Sequence, residues 1–112
     1  MESILTTIKK KLGITEEYEH FDTDIIIAIN TSLMTLNQIG VGPKGGFSIS
    51  NKLDKWSDFL GDATNLEAVK TYVYYRVRLE FDPPGQTSHL DAIKRQADEL
   101  EWRLQVQAEL NN

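Results

Sequence analysis

The chain has 112 residues, a net charge of −5 and no cysteine. That length suits one domain around one core. The missing thiols exclude disulfides and cysteine-ligated zinc, and the acidic balance disfavours a nonspecific nucleic-acid binder, which needs a basic face to neutralise phosphates. The hydrophobic and charged fractions are those of a globular protein. No basic start followed by an apolar run and a small-residue site is present, so no secretory signal is expected.

Residues 3–12 read as a short helix. Ile4, Ile8 and Leu12 recur every fourth position with Leu5 beside them. Lys9, Lys10 and Lys11 fall in its last turn, where the dipole favours cations, and read as a solvated face. Gly13 stops it. The acidic connector 14–21 ends in Phe21, placed to staple onto Ile26 or its neighbour.

The uncharged stretch 25–43 stands out next. A helix of about 17 residues runs between a cap at Asp22 or Thr23 and an αL stop at Gly40. Ile25, Ile29, Leu33, Leu36 and Ile39 share one face. Ile27 and Met34 lie on the other side, so this helix belongs in the middle of a core or of an assembly of chains. Its two Asn, two Thr, Ser and Gln exclude a membrane span.

A long irregular region, 41–64, follows. It opens on Gly42-Pro43-Lys44-Gly45-Gly46, a strong turn signal. Phe47-Ser48-Ile49-Ser50 alternates and predicts a short strand, with room for a β-hairpin. Trp56, Phe59 and Leu60 predict one turn of helix before Gly61-Asp62. The far half of this loop is expected to pack on the core and its Gly-rich tip to protrude.

Asn65 or Thr64 caps a third main helix that runs to about Phe81. Leu66, Val69, Val73 and Val77 make one apolar face; Ala68, Tyr72, Tyr75 and Leu79 make another. Asp82-Pro83-Pro84-Gly85 is a hard stop. The last helix starts at Ser88, with Asp91 as a capping-box variant, and runs to Leu110. Leu90, Ile93, Ala97, Leu100 and Leu104 form its seam, and Asp91–Arg95 and Glu99–Arg103 are i,i+4 pairs. The sum is an all-α fold: a small bundle of about four helices with one long, partly ordered loop. Residues 1–112 make a single domain, without internal repeats.

Chemistry is hard to find. His20 lies among Glu16, Glu17 and Glu19 but lacks metal-ligand spacing, and His89 sits in the first turn of a helix. Ser48, Ser50 and Ser57 have no nucleophile-elbow context. The glycines after position 39 resemble a phosphate loop in composition only. No catalytic residue, cofactor or metal site is expected. The informative feature is surplus apolar surface in three stripes off the main seams. Ile27/Met34 and Ala68/Tyr72/Tyr75/Leu79 are either buried by the bundle or form subunit contacts. Trp102/Val106/Leu110, led by Trp, reads as a partner-docking anchor.

Several runs together carry a family resemblance. They are Phe21-Asp-Thr-Asp-Ile-Ile-Ile-Ala-Ile-Asn, the Leu36-Asn-Gln-Ile-Gly-Val-Gly-Pro turn, Trp56-Ser-Asp-Phe-Leu-Gly-Asp, Val69-Lys-Thr-Tyr-Val-Tyr, Phe81-Asp-Pro-Pro and Glu101-Trp-Arg-Leu. In this order the chain resembles, over nearly its whole length, the small head–tail connector (adaptor) proteins of tailed bacteriophages, especially those of Gram-positive hosts. The resemblance implies a helical protein without catalytic activity or cofactor. It implies a ring beneath the portal protein, of about twelve copies by family analogy, that extends the DNA channel and meets the next connector, stopper or tail protein. Genomic DNA would pass through without specific binding. The resemblance leaves room for a subunit that is monomeric when free, in the host cytoplasm during assembly, and that assembles only on the portal in the virion. By position, the docking end would be Trp102, Val106 and Leu110, and the loop near the channel or a neighbouring subunit would include Gly42, Lys44, Phe47 and Ile49. Asn111-Asn112 close the sequence, so a longer C-terminal extension is not expected. The competing reading is a small helical regulator that binds one protein partner as a monomer or dimer.

Overall fold

The computed structural model describes residues 2–61 and 65–110. Five helices follow in order: α1 (Ile4–Lys11), α2 (Asp22–Gln38), α3 (Trp56–Leu60), α4 (Leu66–Phe81) and α5 (Thr87–Leu110). The fold is an all-α bundle. Among the described residues, the one strand-like pairing is a single antiparallel bridge between Ser3 and Lys55. Thr64, one of the two expected caps of α4, Asp62 and the terminal Asn111-Asn112 lie outside the described residues; Asn65 holds the cap position of α4.

The middle of the bundle is α4. It packs against both α2 and α5. Its valines Val69, Val73 and Val77 are fully buried, and so is Tyr72 on its second face. The rest of that second face, Ala68, Tyr75 and Leu79, is half-buried, so one apolar side of α4 is fully covered and the other in part. By contrast α2 gives only one face to this core: Ile25, Ala28, Ile29, Leu33 and Leu36 are buried, whereas Ile27 and Met34 are 58% and 56% exposed. Of the two readings of its second apolar face, burial within the chain's own bundle is therefore overturned.

Local signals account for most boundaries. The Ser3 hydroxyl accepts from the Thr6 N–H at 3.2 Å and caps α1. Gly40, at φ +97°, ends the α2 turn and lies close to Ala108 of α5, where a β-carbon would come within 3.2 Å. The start of α5 falls one residue before the expected Ser88, and the Gln86 carbonyl accepts the first helical bond from the Leu90 N–H at 2.9 Å. Neither Asp22 nor Thr23 caps α2: Phe21 holds that position without a side-chain bond. The Phe21 ring sits edge-on to Phe81 at 5.4 Å and to His20 at 4.9 Å, closing the connector onto the end of α4. On α5, the Glu99–Arg103 pair forms at 2.8 Å; Asp91–Arg95 is not among the ion pairs of the described residues.

The lysine run divides, and the solvated reading fails for Lys9. Lys10 and Lys11 are exposed, but Lys9 is 2% exposed. Its Nζ donates to the carbonyl oxygens of Glu16 at 3.0 Å and Tyr18 at 2.7 Å, and stands 2.8 Å from Asp22 Oδ1. Asp22 Oδ1 is buried without a well-aligned donor, so this last contact acts by charge. A second lysine, Lys70, ties the N-terminus to α4 through Glu2 at 2.6 Å and Glu67 at 3.2 Å. The Lys70 hydrogen bond holds the Glu2 carboxyl below the usual carboxylate range.

Removing a buried cation leaves its oxygens without a partner. Lys9→Met should lower the stability read from urea unfolding by about 3 kcal/mol, while Lys10→Met, at an exposed site, should change it by less than about 0.5 kcal/mol.

Candidate interaction surfaces

The loop after α2 is folded back and fixed at both ends. The Val41 N–H donates to the Leu36 carbonyl at 2.8 Å, the Asn37 amide donates to the Pro43 carbonyl at 2.9 Å, and the Gly46 N–H closes a turn onto the same oxygen at 3.0 Å. At Gly42, φ is +90° and a β-carbon would overlap the Phe59 ring, so only glycine fits. Phe47 stacks on Phe59 at 5.4 Å. The tip itself is exposed, with open space where a β-carbon at Gly45 would stand.

The strand expected over Phe47-Ser48-Ile49-Ser50 does not form. Its place is taken by one side chain. The Asn30 amide donates to the Ile49 carbonyl at 3.0 Å and accepts from the Ile49 N–H at 2.7 Å. A carboxamide offers one donor edge and one acceptor edge, as a neighbouring strand residue does. Ile49 thereby enters the core at 3% exposure. Of the four expected loop contacts, Gly42 and Lys44 are exposed, Phe47 is half-buried and Ile49 is internal.

The other expected residues also separate. Tyr72 is fully buried under α5, and its hydroxyl donates to Glu101 Oε1 at 2.6 Å. Burial, that bond and the Glu101 charge push the Tyr72 phenol well above its ordinary value of 10.0. Tyr75 is half-buried at a shallow groove with Thr71, Gln96 and Arg103. On α5, Trp102 is 64% exposed, Leu110 80% exposed and Val106 half-buried, while Leu104, about 200° away from Trp102, is in the core.

One feature was missed by sequence reasoning. A groove of about 350 Å³ opens where α2 and α5 diverge over α4, lined among others by Thr31 and Thr35, Arg76 and Glu80, Lys94 and Asp98. Only the spacing of Arg76–Glu80 and Lys94–Asp98 hinted at it, and that spacing also describes ordinary solvated faces. Among the described residues no cluster of His, Asp and Glu could hold a metal ion, and no helix is long and apolar enough to cross a membrane.

A bundle with fixed surface features and exposed apolar side chains is a scaffold for protein contacts. Consistent with this, the family described as phage connector protein matches residues 4–111. The chain belongs to that family. Its role is therefore that of a phage connector, structural rather than enzymatic in kind and located between head and tail of the virion. No curated protein and no solved structure matches it.

Two measurements test this geometry. Asn30→Ala strands the buried Ile49 N–H and should cost about 1–3 kcal/mol, with faster amide exchange at Ile49 than at Val73. The second concerns pH. A phenol whose folded value is raised binds its proton more tightly in the folded state, so its contribution is complete below the ordinary value and is lost as pH rises above it. Wild-type stability should fall above pH 10 more steeply than that of Tyr72→Phe, in urea unfolding at pH 8 to 11.

Proposed function

We propose that this connector assembles as an oligomeric ring at the portal vertex, where it joins head to tail and extends the DNA channel. Its partners are copies of itself, the portal protein and the next connector, stopper or tail protein; genomic DNA passes through without specific binding. The observation that carries this reading is the exposure of large apolar side chains on two elements, Ile27 and Met34 on α2 and Trp102 and Leu110 on α5. A single binding partner needs one such surface. A ring subunit docked on another protein needs several, and head-to-tail contacts are heterologous by construction.

In this reading Trp102, Val106 and Leu110 form the anchor on the portal, since an exposed tryptophan with apolar neighbours along one helix is the usual composition of a binding hot spot. Ile27, Met34 and the half-buried Tyr75 contribute to subunit contacts. Tyr72 has no part in them, because its side chain is spent on the chain's own core.

The test is co-assembly with the portal protein, imaged by electron microscopy. Wild type should form a ring on the portal, and Trp102→Ala should weaken binding about 30-fold, the effect of losing a hot-spot residue of about 2 kcal/mol. A ring indifferent to Trp102→Ala moves the anchor elsewhere. No association at any concentration removes the ring reading and favours a regulator of one partner.

A further inference from the structure

We infer that neighbouring copies engage head to tail, the loop finger Pro43-Lys44-Gly45 of one copy entering the α2–α4–α5 groove of the next. This rests on the ring reading and specifies its contact.

The placement of the two features carries the argument. Asn30, Met34 and Asn37 line the hollow beside the loop, whereas Ala28, Thr31, Ser32 and Thr35 line the groove. At about 100° per residue the mean directions of these two sets differ by about 140° around α2. Finger and groove therefore flank the core-facing side of one helix and point away from each other. A chain cannot bring its own finger into its own groove, but a second copy can, and the same contact repeats on the next. A protrusion and a socket at different places on one surface generate a ring or a filament, never a closed two-fold pair.

The chemistry matches. None of Arg76, Glu80, Lys94, Asp98 and Lys44 has an ion-pair partner among the described residues. The groove thus offers two carboxylates and two cations without an ion-pair partner among the described residues. Its α2 wall adds acceptors, because the hydroxyls of Thr31 and Thr35 donate to carbonyls of their own helix and keep acceptor capacity on their oxygens. The finger brings the Lys44 ammonium for Asp98 and Glu80, and backbone carbonyls at its tip for Arg76 and Lys94. It is narrow, since glycine follows the lysine, and it is held in shape by the Asn37–Pro43 bond and the Pro43–Gly46 turn, so little entropy is lost on docking. The volume of about 350 Å³ admits a side chain with a turn of backbone and not a helix. The exposed Met34 lies beside the finger and widens the same contact.

The chain has no cysteine, which makes cross-linking clean. Lys44→Cys and Asp98→Cys combined in one chain, assembled on the portal and oxidised, should give a ladder on a non-reducing gel that passes dimer; each single variant should not. In parallel, Lys44→Glu should reduce ring yield at least about 10-fold and Asp98→Lys in the same chain should restore it, as like charges placed together cost several kcal/mol. Both positions are exposed, so folding is not at stake. Rings visible by microscopy without a ladder beyond dimer, or indifferent to Lys44→Glu, overturn this contact and leave the ring reading intact. Absence of rings with unaltered protein overturns both.

Discussion

The fold depends on one buried ammonium. The connector between α1 and α2 is acidic, exposed and without regular structure, so it buries too little apolar surface to order itself. Lys9 supplies what it lacks. By taking two connector carbonyls and the first-turn carboxylate of α2, it fixes the angle at which α2 leaves α1. Desolvating an ammonium is expensive, and a single ion pair seldom offsets it. Three oxygens around one nitrogen do so more fully, and the chain they come from has no competing route. The direction of α2 then decides where its neutral outer face and its trailing loop stand.

A second polar device replaces a sheet. An isolated strand beside a helix would leave backbone donors and acceptors without partners, and a hairpin needs more strands to be stable. Asn30 satisfies one residue, Ile49, and that is enough to seat its side chain in the core. The remainder of the loop closes by ordinary turns: Asp54 accepts from the Ser50 N–H at 2.7 Å, and Asn51 from the Leu53 N–H at 2.8 Å. Trp56 completes the closure through its indole N–H, which donates to Thr7 of α1 at 3.1 Å. A loop built this way is rigid without being part of a layer, and it holds its glycine tip away from the bundle.

These two devices also mark where sequence reasoning stopped. Helix existence and type followed from apolar spacing and from Gly13, Gly40 and the Pro83-Pro84 pair, because those signals are local. Lys9 is indistinguishable in sequence from Lys10 and Lys11; its burial is set by a connector that folds over it, a tertiary fact. Alternation at Phe47–Ile49 signals a half-buried segment equally well whether the partner is a strand or an asparagine one helix away. The two apolar faces of α4 and of α2 look alike as patterns, yet the second face of α4 is covered in part, at Tyr72 fully, and that of α2 stands open at Ile27 and Met34. Periodicity says that a face wants cover, not whether cover comes from the same chain. The exposed Trp102 and Leu110 were readable because they fall off the α5 seam; the groove was not, because it is made by three helices diverging.

The absence of charge along α2 then acquires a physical meaning. Past Asp24 the helix carries no ionisable side chain, although much of its outer surface is in contact with water. For a solitary protein that is a poor solution: exposed isoleucine and methionine bring no solubility, and charged residues would cost nothing there. For a subunit whose outer surface is covered by another, charge would have to be desolvated at each contact, and neutral threonine, asparagine and methionine avoid that cost. The charges instead stand on α4 and α5, across the groove, where an incoming backbone and a single lysine can satisfy them. One helix thus divides its circumference three ways, between its own core, a flank that carries the finger and a flank that walls the groove. Burial on one side fixes the separation of the other two, so the geometry of a repeating contact is set by the packing of a single subunit.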